Sequence, residues 1–372
     1  MIADEVRTGA YEAAIRATVR PGAVVLDIGA GTGILSFLAC RAGARKVYAV
    51  EGGDAIAVAA EIAQANGLSD RIEFIQAKST EITLPERADV VVSDLRGVLP
   101  LFEEHIPSIV DARLRHLAPG GVLIPLRDQI RIGMIEAPAE YERLVAPWST
   151  ARFGFEMGAA LRIVTNSWDR AFFQSGQLLS EPADWATLDY QTIESADVHG
   201  TMTLTALRDG TAHGIAAWFD TVLCEGIGYS NAPGQPETVY GTGFFPFSEP
   251  IAVNAGDSLT VTLRSDLIGG EYISTWDTEA YRCGSDRPHT RLSQSTFFGG
   301  PLSIEKVRKR AAAHSPVLNA DGELDAAILR AMTGNCSVDA IVGRIFDQYP
   351  TRFRSRGEAM ARVSDLSERY SQ

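Results

Sequence analysis

Two carboxylates nine residues apart, Asp94 and Glu103, and a glycine-rich turn followed by an acidic strand end mark where this chain can do chemistry. The turn, Asp27-Ile28-Gly29-Ala30-Gly31-Thr32-Gly33, follows the apolar run Val24-Val25-Leu26 and precedes a segment that reads as helix through Arg41. Strand, tight turn and helix N-terminus in that order let the backbone approach a ligand closely, because glycine has no side chain and accepts positive φ. A second apolar strand, Val47-Tyr48-Ala49-Val50, ends at Glu51, placed to accept from both hydroxyls of a ribose. Turn and acid together predict a nucleoside site. The spacing G-x-G-x-G is one residue shorter than the dinucleotide fingerprint, and Asp27 would repel a pyrophosphate, so the expected cofactor is the cationic S-adenosylmethionine.

Asp94 ends the strand-like run from Ala88 to Ser93, and Glu103 lies across a loop from it. Carboxylates that converge on one small cavity hold a cation, or accept a proton from an amine, through charge-assisted hydrogen bonds. A competing reading puts Glu103 and Glu104 in the first turn of a helix from His105 to His116, where acidic residues offset the helix dipole. Both histidines are expected on helix faces rather than as ligands. The cysteines Cys40, Cys224, Cys283 and Cys336 form no C-x-x-C pair, so no metal site and no disulfide framework are expected.

The elements that must position these residues follow from patterning. Tyr11, Ile15 and Val19 give a helix over residues 8–19, a helix follows from Ala55 to Asn66, and strands are predicted at 72–75 and 88–93. Strands alternating with helices imply a parallel sheet covered on both faces, with ligands at the carboxyl ends of its strands. From about residue 122, short alternating stretches such as Leu259-Thr260-Val261-Thr262-Leu263 predict antiparallel strands. Residues 158–180, rich in Leu161, Trp168, Phe172 and Phe173, read as a partner surface or a second core. Residues 303–372 read as short helices after a Gly-, Ser- and Arg-rich connector at 283–300, with a turn at 319–322 and a cap at Asn335-Cys336-Ser337. With 372 residues and a net charge of −13, nucleic acid is a poor partner. An acidic N-terminus and the lack of any long apolar run predict a cytoplasmic protein without a membrane span.

Taken together, Asp4-Glu5-Val6-Arg7-Thr8, Tyr11, the run Val25 to Ser36, Glu51, Ser93-Asp94-x-x-Gly97, Glu103, Leu117-Ala118-Pro119-Gly120-Gly121 and Phe153-Gly154-Phe155-Glu156-Met157 resemble the protein arginine methyltransferase family. The resemblance implies an α/β Rossmann-like domain (1–125) and an antiparallel β-barrel or sandwich domain (126–285). A helical dimerisation arm near 158–180 implies a homodimer. It implies that Arg7 meets the cofactor carboxylate, that Asp27, Gly29 and Gly31 line its backbone side, that Glu51 holds its ribose, and that Ser79 and Thr80 contact adenine. Asp94 and Glu103 fall on the paired carboxylates that grip a substrate guanidinium.

Several positions depart from the family. Asp94 is one methylene shorter than the family's glutamate, Arg96 brings a positive charge beside it, and the Thr-His-Trp loop becomes Thr238-Val239-Tyr240, while Ser274-Thr275-Trp276 is a decoy on a later strand. Arg96, Glu104 and Tyr240 are therefore expected in the substrate pocket. Residues 301–372, including Pro316 to Gly322 and Thr333 to Val342, are similar to PqqD-like peptide-recognition domains, small winged-helix-like units. The expectation from all of this is methyl transfer to an amine, such as the terminus of a ribosomally made peptide recruited by that module. Arginine in a protein, or a scaffold that binds without turnover, are the alternatives.

Overall fold

The computed structural model of the chain describes residues 2–149, 153–301, 303–332, 334 and 336–371. It forms two compact units, 1–301 and 302–372. The first begins with α1 (Glu5–Thr18), followed by β1 (Val24–Ile28), α2 (Ile34–Arg41), β2 (Lys46–Glu51), α3 (Ala55–Ala65), β3 (Ile72–Gln76), β4 (Ala88–Ser93), α4 (His105–Arg115) and β5 (Leu117–Ile124). Helix α1 starts earlier than its apolar spacing predicts because Asp4 caps it, accepting from the Arg7 N–H at 2.9 Å.

The five strands form a parallel sheet in the order β3-β2-β1-β4-β5. All five residues of the central β1 are buried, as expected when helices cover both faces. Its register pairs Ile28 with Val50 on β2 and with Ser93 on β4. Gly29, Glu51 and Asp94 therefore leave the sheet at one common edge. The turn after β1 has Gly29, Gly31 and Gly33 all at positive φ, and Gly33 is the left-handed N-cap of α2. Beneath it, the fully buried Asp27 carboxylate accepts from the Ser36 hydroxyl at 2.6 Å, which ties the strand end to the first turn of α2.

The chain then turns antiparallel at β6 (Arg127–Ile135). After α5 (Pro138–Ser149), α6 (Leu161–Thr165) and β7 (Asp169–Ala171) come β8 (Ala183–Asp189), β9 (Val198–Thr205), β10 (Gly210–Cys224), β11 (Ile227–Ser230) and β12 (Thr242–Val253). The last strands are β13 (Ser258–Ile268), β14 (Glu271–Tyr281) and β15 (Thr290–Ser295). One sheet runs β7-β12-β10-β6-β8 with β11 on β10, and the other runs β15-β14-β13-β9. Their inward faces share one core, with Phe245 and the fully buried Trp276 packed edge to face 5.3 Å apart. Trp276 is thus a core residue, in keeping with its reading as a decoy.

One stretch differs from expectation. The connector predicted at 283–300 contains β15, which pairs with β14 because Leu292 turns inward while Arg291 and Ser293 face out. The apolar insert at 158–180 fits the second-core alternative: β7 joins β12, and Phe173 is buried in a local cluster with Tyr141 and Trp218. Phe172 within it stays exposed, and the most exposed aromatics lie just before it, at Phe153 (97 % exposed) and Phe155 (68 %).

The second unit consists of α7 (Ile304–Lys309), α8 (Ala320–Met332), α9 (Val338–Gln348) and α10 (Arg356–Tyr370). Leu324, Ile328, Ile341, Val342, Ile345, Val363 and Leu366 form its core. The turn expected at 319–322 is instead the start of α8, because Asn319 accepts from the Gly322 N–H at 2.8 Å. Ser337 caps α9; Thr333 and Asn335 of the expected motif lie outside the described residues. Every regular element among the described residues of this unit is a helix, so it presents no strand for a wing or for pairing a peptide at a sheet edge.

Two predictions follow from these packing arrangements. Trp276→Ala should destabilise the first unit by about 3–5 kcal/mol, read by chemical denaturation; a loss below about 1 kcal/mol would contradict its place in the core. Burial pushes the Asp27 carboxyl up to about 7, against the hydrogen bond from Ser36. The folded state therefore keeps a proton that the unfolded chain has lost, and this group's contribution to stability falls as pH rises from about 4 to about 7. Asp27→Asn should remove that decline, so its stability relative to the parent improves between pH 4 and pH 8; an unchanged difference across that window would contradict the burial argument.

Candidate active site

A cavity of about 720 Å³ opens at the common edge of the parallel sheet. Ile28, Gly29, Val50 and Glu51 form one wall, Ser79 and Thr80 a second, and Asp94, Arg96, Glu103 and Glu104 a third. Glu51 is aimed by backbone: its carboxylate accepts from the Gly31 N–H at 3.0 Å and from the Gly53 N–H at 2.8 Å. Ser79 and Thr80 sit in a short 3-10 turn held by Arg115, whose guanidinium donates to both of their carbonyls at 3.1 Å and is anchored on Asp111. Gly29 is required on steric grounds as well as by its φ of 73°, because a Cβ there would lie 2.3 Å from Leu95 Cδ2.

Glu104 stands at the N-cap of α4 but its side chain makes no capping bond; it pairs instead with Lys78 at 3.3 Å. Glu103 has φ 42°, in the left-handed region that side chains other than glycine's rarely adopt. That backbone presents its carboxylate to the cavity. Strain of this kind is held in place only by surrounding structure and is common where a residue binds something.

Four expected site residues are not on the cavity wall. Asp27 lies beneath the turn, bonded to Ser36, and Gly31 contributes its N–H to Glu51. Arg7 and Tyr240 are buried behind Asp94: Arg7 Nη1 pairs with Asp94 Oδ2, and the Tyr240 hydroxyl donates to Asp94 Oδ1 at 2.5 Å. Arg96 is also buried, with Nη1 donating to Asp128 Oδ1 at 2.9 Å and Nη2 to the Tyr11 hydroxyl. Tyr11 in turn donates to the Ser93 carbonyl at 2.8 Å, pinning α1 to the end of β4. The chain of contacts continues from Asp128 through Tyr190 (2.6 Å) to His105 (3.0 Å). Burial, reinforced by the Arg96 charge, presses the His105 imidazole down to about 3, so it is neutral.

Several contributors come from far along the chain. The hairpin between β13 and β14 turns through Gly269 and Gly270, both at positive φ as a two-residue turn of this hand requires, and brings Glu271 to the cavity. Asp128 and Thr221 come from β6 and β10. The only sequence signal for the hairpin was its Gly-Gly pair; nothing local marks Asp128. Among the described residues, no group of His, Cys, Asp and Glu has the arrangement of a metal site, and no helix is long and apolar enough to cross a membrane.

The donor set fits a cationic nucleoside cofactor. Glu51, Asp94, Glu103, Glu104 and Glu271 face the cavity against Lys78 and Arg96, and Arg96 is paired internally. An acidic chamber favours a sulfonium over a polyphosphate.

Comparison with known proteins gives the family. Residues 11–125 match the family described as ribosomal protein L11 methyltransferase, and residues 128–267 match the arginine methyltransferase oligomerization subdomain. Protein arginine N-methyltransferase 1 of Schizosaccharomyces pombe is 32% identical over 283 residues, covering 73% of this chain and 82% of its own. The protein of that name in Dictyostelium discoideum is 30% identical over 271 residues, covering 71% and 79%. Among solved structures, the fold is similar to the Trypanosoma brucei PRMT1 enzyme-prozyme heterotetrameric complex with AdoHcy (TM-score 0.73, 24% identity, 79% of this chain and 96% of that one). It is also similar to Arabidopsis thaliana protein arginine methyltransferase 10 (TM-score 0.70, 24% identity, 80% and 96%). These relatives overturn the expectation of a peptide-terminus amine as acceptor. That expectation took the shorter Asp94 side chain to respace the carboxylate pair, yet Asp94 and Glu103 still meet at one cavity. The chain belongs to the protein arginine methyltransferase family, and it is an S-adenosylmethionine-dependent methyltransferase.

Proposed function

We propose that this protein transfers a methyl group from S-adenosylmethionine to a guanidinium nitrogen of arginine in a protein substrate. One observation carries the reading: the glycine turn and Glu51 share a single chamber with Asp94 and Glu103, so a nucleoside site and a cation grip face each other. A second hollow of about 380 Å³ shares Phe102, Glu103 and Glu271 with that chamber and is walled by Trp168 and Tyr272, which offers an approach for a polypeptide.

When bound, S-adenosylmethionine supplies an electrophilic methyl group on a sulfonium. Glu51 would hold the ribose hydroxyls, the open backbone at Gly29 would accommodate close approach, and Ser79 and Thr80 would border the base, while Arg7, buried behind Asp94, would hold that carboxylate in place. The residues' remaining task is to align the acceptor and exclude water. A carboxylate at one edge of a guanidinium draws positive charge toward the nitrogens it touches, which leaves more electron density on the nitrogen facing the methyl group. Glu103 is placed for that role. The nitrogen's proton is shed as the new N–C bond forms, and a cavity-facing carboxylate can receive it.

The match to an oligomerization subdomain, together with exposed Phe153 and Phe155, supports a homodimer built on this surface. Two measurements test these proposals. Incubation with S-adenosylmethionine and an arginine-containing protein should yield methylarginine by mass spectrometry, and Glu103→Gln should lower kcat/KM by about 10²-fold or more; methylation confined to amines, or an unaffected variant, would refute the assignment. Replacing Phe153 and Phe155 together with Asp should convert a dimer to a monomer in light scattering, and an unchanged mass would exclude that face.

A further inference from the structure

Arg96 is enclosed as a bound ligand would be. Its side chain has no solvent exposure. Nη1 donates to Asp128 Oδ1 at 2.9 Å and to Thr221 Oγ1 at 2.8 Å, Nη2 donates to the Tyr11 hydroxyl, and Nε lies 3.4 Å from Asp94 Oδ1 without a hydrogen bond. The guanidinium carbon is 5.4 Å from the ring centre of Phe219, 5.7 Å from that of Tyr229 and 5.8 Å from that of Tyr11. Two carboxylates and three aromatic faces are what a protein needs to bind an arginine side chain. Here the arginine is the chain's own.

Asp94 is occupied as well, chiefly by Arg7 and Tyr240. Oδ2 is paired with Arg7, while Oδ1 receives the Tyr240 hydroxyl and faces Arg96, and the side chain is only 4 % exposed. The charges of Asp94 and Asp128 are matched by those of Arg7 and Arg96, so this cluster is neutral before any substrate arrives. Glu103 differs on every count. It is exposed, it lines both hollows, and among the described residues it has neither an ion pair nor a hydrogen bond to another side chain.

We propose that Arg96 is a resident guanidinium that, together with Arg7, neutralises Asp94 internally, so that Glu103 grips the acceptor arginine while Asp94 serves as a positioning residue for Arg7 and Tyr240. The proposal rests on the arginine-methyltransferase reading and adds a division of labour within its carboxylate pair. It also assigns Arg96 a specificity role: a competing cation fixed beside the acceptor position weakens the hold on arginine and leaves affinity to be set by Glu103 and its surroundings.

A mutant cycle read by calorimetry tests this, using an arginine-containing peptide bound in the presence of S-adenosylhomocysteine so that no turnover is needed. The first background is the parent chain. The second is Arg96→Met with Asp128→Asn, because removing Arg96 alone would strand a buried carboxylate. The second background should bind the peptide about tenfold more tightly, and adding Asp94→Asn should abolish that gain. In the parent background Asp94→Asn should weaken binding far less than Glu103→Gln does. Equal losses from Asp94→Asn in both backgrounds would overturn the proposal. Should the paired substitution fail to fold, the comparison of Asp94→Asn with Glu103→Gln in the parent decides alone: equal losses refute it. A parent chain that binds a lysine peptide as well as the arginine one would instead refute the arginine reading itself.

Discussion

The buried contact between Arg96 and Asp128 is the constraint on which the site depends. Asp128 lies at the start of β6, and Arg96 lies in the loop that leaves β4. Tyr11 of α1 and Thr221 of β10 complete the guanidinium's contacts. One planar cation therefore fixes the positions of a helix, the edge of the parallel sheet and an antiparallel sheet relative to a single point. Such a pair is costly to break from one side, since a lone buried charge has no compensation. Its value to the fold is geometric: it determines where the loop from Asp94 to Glu103 must run.

Electrostatics around that point separates residues that carry charge for the structure from those that present it to a ligand. His105 is neutral at the end of the buried chain, so it anchors Tyr190 without titrating near neutral pH. Arg7 satisfies Asp94, and Lys78 offsets Glu104 across an exposed pair worth little energy. Glu103 and Glu51 remain turned to the cavity, one by a left-handed backbone and the other by two backbone donors. The acidic character of the chamber thus comes from a few oriented carboxylates rather than from the net charge of the chain.

Much of the parallel half was readable from the primary structure. Apolar runs ended where the strands end, and the three glycines fell at positive φ in the turn they were expected to make. Elements with weaker local signals were displaced. The 319–322 turn became a helix start because Asn319 caps it, and the 283–300 connector gained a strand because β14 offered an edge to pair with. The acceptor was misread for a related reason: shortening Glu to Asp looked decisive on paper, whereas side-chain reach is measured from a backbone whose path other elements set.

The sequence by itself determined the donor side of this protein. A strand, a glycine turn and an acid after the next strand are a local arrangement, enforced by backbone sterics and by pairing between neighbouring strands, and they name a nucleoside site wherever they occur. Only the tertiary structure decided what the second carboxylate does. Arg7 and Tyr240 reach Asp94 from 87 and 146 residues away, and Asp128 reaches Arg96 from 32. Whether a carboxylate is free for a ligand depends on every charge within a few ångströms of it, and the distance along the chain says nothing about which charges those are.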